Sequence, residues 1–484
     1  MSSAARPLRI AILGAGFGGL GAAIKLREAG FDDWTILERG ADLGGTWRDN
    51  TYPGCACDIP APLYSFSFES NPAWTRLYST QAEIWDYLRR LADKHHLRER
   101  IRFGTKVVEA RWDDGWHLRF ADGREERFDA VVCAVGFLNR PNLPRLAGLE
   151  GFPGIAFHSA QWRHDVDLAG RRVAVIGTGA SAIQFMPEIA PRAASVTVWQ
   201  RTPPWVMPRI DRSFSAREQR AFRRFPFLRR LLRWRIYLRQ ELLVSGFLGG
   251  AFIQKQFRAF GERQIAHQVR DPVLRAKLVP DYAPGCKRIL VSNDWYPALQ
   301  RSNVELVAEG AARIEGSRVV GASGTAREAD VIIFGTGFSA IGFPSPLRVL
   351  GRGGRELAEA WRDGAATHLG ISVSGFPNLF FLVGPNTGLG HNSIVFMIEA
   401  QLRYIVQALA RLRVADARTL ELRPEAQATS YAEVQARMRR TVWLSGCRSW
   451  YLTPDGRNDT LWPGSTLDYW WRTRRFDPAA YAVA

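Results

Sequence analysis

Cysteine is scarce in this chain: 484 residues contain five. Cys55, Cys57, Cys133, Cys286 and Cys447 form an odd, sparse set, which points to a reducing compartment and a cytoplasmic location. Cys55 and Cys57 make a C-x-C, but no second cluster with ligand spacing follows, so no metal site is expected. Long apolar runs are missing too. No segment reaches ~18 uninterrupted apolar residues, which excludes a spanning helix. Near the N-terminus Arg6 and Arg9 precede an apolar run like that of a signal peptide, but Gly14, Gly16, Gly18, Gly19 and Gly21 interrupt it. Acidic residues are in deficit, 47 against 65 basic ones, for a formal charge of +18. That excess favours contact with anions: phosphorylated cofactors, an acidic membrane surface or nucleic acid. Charge alone does not choose among them, and a basic surface with no specific partner remains open.

What is present is a repeated α/β pattern. LRIAIL (8–13) reads as a buried strand, and GAGFGG follows at once with Gly14, Gly16 and Gly19 in G-x-G-x-x-G register. LGAAIKLREAG then reads as a helix, and WTILER (34–39) as a strand ending at Glu38. In this context the glycines permit a tight turn and close backbone approach, and the helix N-terminus meets a pyrophosphate. Glu38 stands where a carboxylate accepts the hydroxyls of an unphosphorylated ribose.

A second copy begins at RRVAVIGTGASAIQF, with its strand at 172–176 and its turn at Gly177, Gly179 and Ser181, the third glycine being replaced by Ala182. The strand SVTVWQR ends on Arg201. The offsets are equal: 38 − 14 = 24 and 201 − 177 = 24. A carboxylate in the first unit is thus answered by a guanidinium in the second, which suits a 2′-phosphate. The first unit is expected to take FAD and the second NADPH, with Arg201 as a plain surface residue the alternative. Strand-to-glycine elements at 129–137 and 329–338 return the chain between the units, and the proline-rich 140–150 stretch reads as a hinge.

The fold class is therefore α/β, with two Rossmann-like dinucleotide-binding domains and a helical insertion in the second. Residues 1–140 form the first part of the FAD domain. Residues 150–340 form the NADPH domain, with the insertion at about 210–285, and 370–484 complete the FAD domain and a covering segment. The insertion is strongly basic, with ten arginines between Arg212 and Arg239. It can lie on an acidic membrane or be a solvated helical segment. Pro226 breaking the run and arginines spread around the helix favour solvation. Further on, a helix is expected from about Ser393 to Leu412, capped by Asn392 or Ser393; its N-terminus serves a reduced flavin ring or is a plain cap. The tryptophan-rich tail (443–464), the insertion and the 340–350 loop are expected to wall a substrate pocket.

Between the two nucleotide units lies GGTWRDNTYPGCACD (44–58). Disulfide reductases share the order of units and the GGT, but carry a cysteine directly after it and another five residues on. Here Trp47 and Tyr52 take those places, so no dithiol faces a flavin. With no thiol to receive electrons, a reduced flavin meets dioxygen. Gly44, Gly45, Trp47, Tyr52, Pro53, Gly54 and Asp58 resemble the long fingerprint of type I Baeyer–Villiger monooxygenases. Phe152, Gly154, His158 and Trp162 are similar to the family's shorter fingerprint, which departs at Arg163, where proline or aspartate is usual.

The resemblance runs from Leu8 to about Gly464. It implies an FAD- and NADPH-dependent enzyme that converts ketones to esters or lactones with dioxygen through a flavin peroxide, with sulfoxidation as a side activity. By the same resemblance, GCKRILVSNDWYPALQRSNVEL (285–306) carries the catalytic arginine, Arg288, with Asp58 as its carboxylate partner. Lys287 then holds the NADPH phosphate beside Arg201 and Thr202. Gly45, Thr46, Trp47, Tyr64 and Asn386 are candidates for flavin contact, and Trp47 equally for core. His158 is read as a linker residue coupling the domains. An N- or S-hydroxylating flavin monooxygenase is the alternative, with no need of Arg288. The expected partners are a small ketone and dioxygen, with no nucleic acid; the basic insertion leaves weak membrane contact open. Oligomeric state is not readable.

Overall fold

The computed structural model describes residues 7–339, 343–344 and 346–484. Two five-stranded sheets organise it. The first orders its strands Leu379–Phe381, Ala130–Cys133, Ile10–Leu13, Trp34–Leu37 and Ile101–Arg102, all parallel. The second orders Val304–Val307, Ser195–Trp199, Arg172–Ile176, Val331–Phe334 and Ile155–His158, also parallel throughout. Central strands such as IAIL and AVVC are buried at every position, because helices and loops cover both faces of a parallel sheet.

The two nucleotide units repeat one another down to single atoms. Gly14 (φ +100°) follows the first strand, and a Cβ on it would lie 2.9 Å from the carbonyl oxygen of Ala134. Gly177 (φ +101°) follows the equivalent strand, and its Cβ would lie 2.7 Å from that of Gly335. Only glycine combines that backbone with that approach.

The short fingerprint falls differently from the expected linker. Ile155–His158 is the edge strand of the second sheet, with His158 registered against Phe334. His158 Nδ1 accepts from the Ala160 amide at 3.1 Å, its ring meets Phe338 edge-on, and burial lowers its pKa.

The insertion is five helices, Ala216–Arg224, Pro226–Leu242, Val244–Phe247, Ala251–Gln268 and Pro272–Leu278. Pro226, read as a break, occupies the first helical position, where a missing N–H costs nothing. The helix expected from Ser393 spans Ile394–Val414, and Ser393 Oγ caps it by accepting from the Val395 amide. Of the 340–350 loop, residues 340–342 and 345 lie outside the described residues.

His368 gives the fold an acid-sensitive point. Neither ring nitrogen has a hydrogen-bond partner among the described residues, and burial pushes its pKa from the ordinary 6.5 down to about 4. The unfolded chain therefore takes up this proton first. The stability involved is complete above pH 6.5 and is lost as pH falls toward 4, roughly 3 kcal/mol in all. His368→Phe, which keeps a ring against Tyr404 and Tyr481, is expected to flatten the loss of thermal stability between neutral and mildly acid pH. An unchanged pH profile would contradict this.

Candidate active site

The fingerprint stretch joins the two sheets at their carboxyl ends. The Gly44 amide donates to the Ala15 carbonyl at 2.9 Å, and a Cβ on Gly45 (φ +52°) would lie 3.3 Å from Gly16 Cα. The stretch is thereby pinned to the first glycine turn. Thr46–Asp49 is a single helical turn with Thr46 exposed and Trp47 buried. Trp47 Nε1 donates to the Tyr64 hydroxyl at 3.2 Å, and the rings meet edge-on; Gln81 donates to the Trp47 carbonyl. Trp47 and Tyr64 thus form one packed wall, and burial raises the Tyr64 pKa.

Further along, the same stretch grips the second domain. The Tyr52 hydroxyl donates to Gln184 Oε1 at 3.0 Å, and Gln184 Nε2 donates to the Ala56 carbonyl at 3.0 Å. Gly54 (φ +74°) lies where a Cβ would meet the Gln184 carbonyl oxygen at 2.7 Å. Gln184 sits on the helix that opens after Ser181 in the second nucleotide unit. Sequence reasoning missed it, because nothing marks one glutamine in that helix as an inter-domain contact.

The dinucleotide cradles fit their cofactors. A Cβ on Gly19 would stand 1.8 Å from the Gly14 carbonyl oxygen, so the first helix packs as close to its strand as backbone allows. Neither the Phe17–Glu28 helix nor the Ala182–Ile189 helix has a side-chain N-cap bond, which leaves first-turn N–H groups for a pyrophosphate. Glu38 is buried at the end of its strand. Its carboxylate accepts from the Ala15 amide at 2.8 Å, the Gly40 amide at 2.7 Å and Arg48 Nη1 at 2.9 Å. In the second unit the Thr178 hydroxyl donates to the Thr202 carbonyl. Arg201 is exposed, and among the described residues no ion pair forms at Arg201 or Lys287. Burial first, then the Arg201 charge, lowers the Lys287 pKa. Two neighbouring cations that form no ion pair, with Asp281 acting on Lys287 less than Arg201 does, suit a phosphomonoester.

Arg288 and Asp58 meet between these cradles. Arg288 Nε and Nη2 both donate to Asp58 Oδ2, at 2.9 and 2.6 Å. The donors converge on one carboxylate oxygen. Asp58 raises the Arg288 pKa against the opposing effect of burial, so the guanidinium stays charged. Beside it lies Tyr451, buried, with no hydroxyl partner that meets hydrogen-bond geometry among the described residues. Sequence reasoning placed the tail near a pocket without singling out Tyr451.

Asn386 is anchored to the tail by its side-chain amide. Its Nδ2 donates to the carbonyls of Asn458 at 2.8 Å and Leu461 at 3.1 Å, which ties the preceding strand to the tail. Its amide hydrogens are spent on the backbone. The C-x-C is inert: Cys55 and Cys57 are buried, burial raises both thiols, and Cys55 reaches about 11. Among the described residues no His, Cys, Asp or Glu cluster could hold a metal.

Cys286 and Cys447 form a disulfide. The odd, sparse cysteine set thus contains one pair that the sequence did not reveal, since pairing across 161 residues leaves no trace in spacing. The link joins the segment bearing Arg288 to the tail bearing Tyr451. Alkylation of the protein unfolded without reductant is expected to modify three cysteines, and after reduction five; five in both states would refute the link. Reduction is expected to cost ~2–4 kcal/mol of stability, read as a lowered Tm.

A cavity of about 680 Å³ lies at the opposite, amino-terminal edge of the first sheet, lined by Leu8, Asp33, Trp34 and Arg413 among others. Ligands of open α/β sheets bind at the carboxyl ends, so this cavity is not the site.

A family model described as flavin-binding monooxygenase-like matches residues 7–346. The chain belongs to this family. Among curated relatives, a Baeyer-Villiger monooxygenase of Pseudomonas aeruginosa is 48% identical over 485 residues, covering 99% of this chain and 92% of the relative. A Baeyer-Villiger monooxygenase of Streptomyces coelicolor is 48% identical over 481 residues, covering 98% and 92%. Among solved structures, an oxidised steroid monooxygenase bound to NADP superposes with a TM-score of 0.87 at 30% identity, covering 98% of this chain and 99% of that one. Cyclohexanone monooxygenase from Rhodococcus sp. Phi1 bound to NADP+ gives 0.87 at 26% identity, with 98% and 99% covered. In this flavin-binding monooxygenase, the paired Arg288 and Asp58 stand where two dinucleotide cradles converge.

Proposed function

We propose that this flavin-binding monooxygenase oxidises ketones to esters or lactones, consuming ketone, dioxygen, NADPH and a proton and yielding ester, NADP⁺ and water. The Arg288–Asp58 pair carries the reading, and the 48% identity to enzymes named Baeyer-Villiger monooxygenases supports it. FAD, once reduced by NADPH, supplies the activation of dioxygen.

The chain's own residues do the rest. Gly14, Gly16, Gly19 and Glu38 hold the FAD pyrophosphate and ribose, with Gly45, Thr46, Trp47 and Tyr64 beside the ring system. Gly177, Gly179 and Ser181 hold the NADPH pyrophosphate, and Arg201, Thr202 and Lys287 its 2′-phosphate. Arg288 keeps a permanent cation at the reacting carbonyl and favours the oxyanion that develops there. Asp58 takes two of its N–H donors and fixes the plane of the guanidinium, which leaves Nη1 for that oxyanion. The cytoplasm, where NADPH is maintained, is the compartment this reading assigns, and thiol reductants there would act on the Cys286–Cys447 link.

NADPH oxidation is expected to accelerate on adding a ketone, with one ester formed per NADPH consumed. NADPH consumption that no ketone stimulates, with no ester formed, would count against the reading.

A further inference from the structure

The insertion helix Pro226–Leu242 carries a row of large apolar side chains turned away from the protein. Phe227, Leu231, Trp234, Leu238 and Leu242 are 61%, 52%, 61%, 39% and 76% exposed. Their spacings are 4, 3, 4 and 4 residues (227, 231, 234, 238, 242), which on a helix keeps them within a stripe about 80° wide. The other side of the helix is engaged. Leu232, Ile236 and Tyr237 pack on the core, Tyr237 stacks on Phe396, and Arg233 donates to the carbonyls of Pro62, Leu63 and Ser65. The fold is thus served by one face, and the outer stripe is left uncovered. Contiguous apolar surface of that kind marks an interaction site.

Charge says what covers it. Helical spacing places Arg230 on one flank of the stripe and Arg235 and Arg239 on the other, all exposed, with Arg223 and Arg224 exposed just before the helix. The one carboxylate between residues 225 and 242, Glu241, is turned inward and accepts from Asn392 Nδ2, Thr466 Oγ1 and the Leu467 amide. That contact sets a second helix, Thr466–Thr473, against the end of the first, and its exposed Leu467 and Trp471 extend the apolar surface.

We propose that this face docks on an anionic lipid surface, the helix lying in the interface with its apolar stripe among the acyl chains and its arginines on lipid phosphates. A two-fold contact between copies would bring the same arginines together with no acidic residue from this helix to answer them. Nucleic acid would leave the apolar stripe unused. None of the described helices is long and apolar enough to cross a membrane, so the contact is peripheral. The arginines spread around this helix, which as sequence favoured simple solvation, are divided between inward anchors such as Arg233 and outward flanks.

The test is flotation of the full FAD-loaded chain with vesicles of phosphatidylcholine alone and of phosphatidylcholine with about one-third phosphatidylglycerol. Binding is expected to the second only. The triple variant Arg230→Gln, Arg235→Gln, Arg239→Gln should partition roughly 100-fold more weakly. The triple variant Leu231→Ser, Trp234→Ser, Leu238→Ser should partition at least about tenfold more weakly. Both should retain FAD and NADPH oxidation, which shows them folded. Absence of phosphatidylglycerol-dependent flotation at low salt would overturn the proposal, as would binding untouched by the apolar variant. So would a wild-type dimer that the apolar variant splits, which would assign the stripe to a second copy.

Discussion

Arg288→Ala is expected to lower ester formation by about 10²–10³ while reduction of bound FAD by NADPH continues. Arg288 donates through Nε and Nη2 to a single Asp58 oxygen, and Asp58 holds its pKa up. The charge therefore persists when substrate displaces water from the site. Its side chain is about 30% exposed and that of Asp58 about 25%, so both still border open space between the cradles. Removing the guanidinium deletes the cation that favours a developing oxyanion and leaves Asp58 unpaired beside it. NADPH consumption should then yield hydrogen peroxide in place of ester. Arg288→Lys is the informative companion. An ammonium keeps the charge but loses the fixed planar fork, so partial recovery is expected. Unchanged FAD content and Tm in both variants would separate loss of chemistry from loss of fold, and normal ester formation by Arg288→Ala would remove Arg288 from the mechanism.

Arg201→Ala is expected to weaken NADPH relative to NADH by roughly 10- to 100-fold in kcat/KM, the value of a charge-assisted hydrogen-bonded pair. Arg201 has no carboxylate partner among the described residues, and its charge already depresses the Lys287 pKa. The two cations repel until a dianion arrives, so loss of one falls on the phosphorylated cofactor and spares NADH. An unchanged preference between the two nucleotides would show that the 2′-phosphate is held elsewhere.

Much of this was legible in the sequence because it is local. A strand, a glycine turn and a helix lie within thirty residues, and the backbone demands on Gly14 and Gly177 follow from that order alone. The equal offsets to Glu38 and Arg201 are likewise a property of the linear chain. Arg288 was found by family resemblance; composition would have lost it among sixty-odd basic residues.

Contacts made across distant sequence were not legible. Gln184 reaching Tyr52 and Ala56, Cys447 reaching Cys286, and Tyr451 reaching Arg288 each join segments more than a hundred residues apart. The tie of the Asn386 side-chain amide to the tail at Asn458 and Leu461 is another such contact, 72 and 75 residues away in sequence. The insertion misled for a different reason. A proline inside a run reads as a break unless the helix starts on it, and no pattern in Phe227–Leu242 says which face the rest of the protein covers.

A carbonyl is the group this site is proposed to oxidise. The measurement that addresses it most directly offers the purified enzyme, with NADPH in air, an equimolar mixture of a ketone and a tertiary amine, and identifies the products by mass spectrometry. Ester or lactone is expected as the main product. Amine oxide formed while the ketone returns unchanged would contradict that expectation and would identify the chain as an N-hydroxylating member of its family.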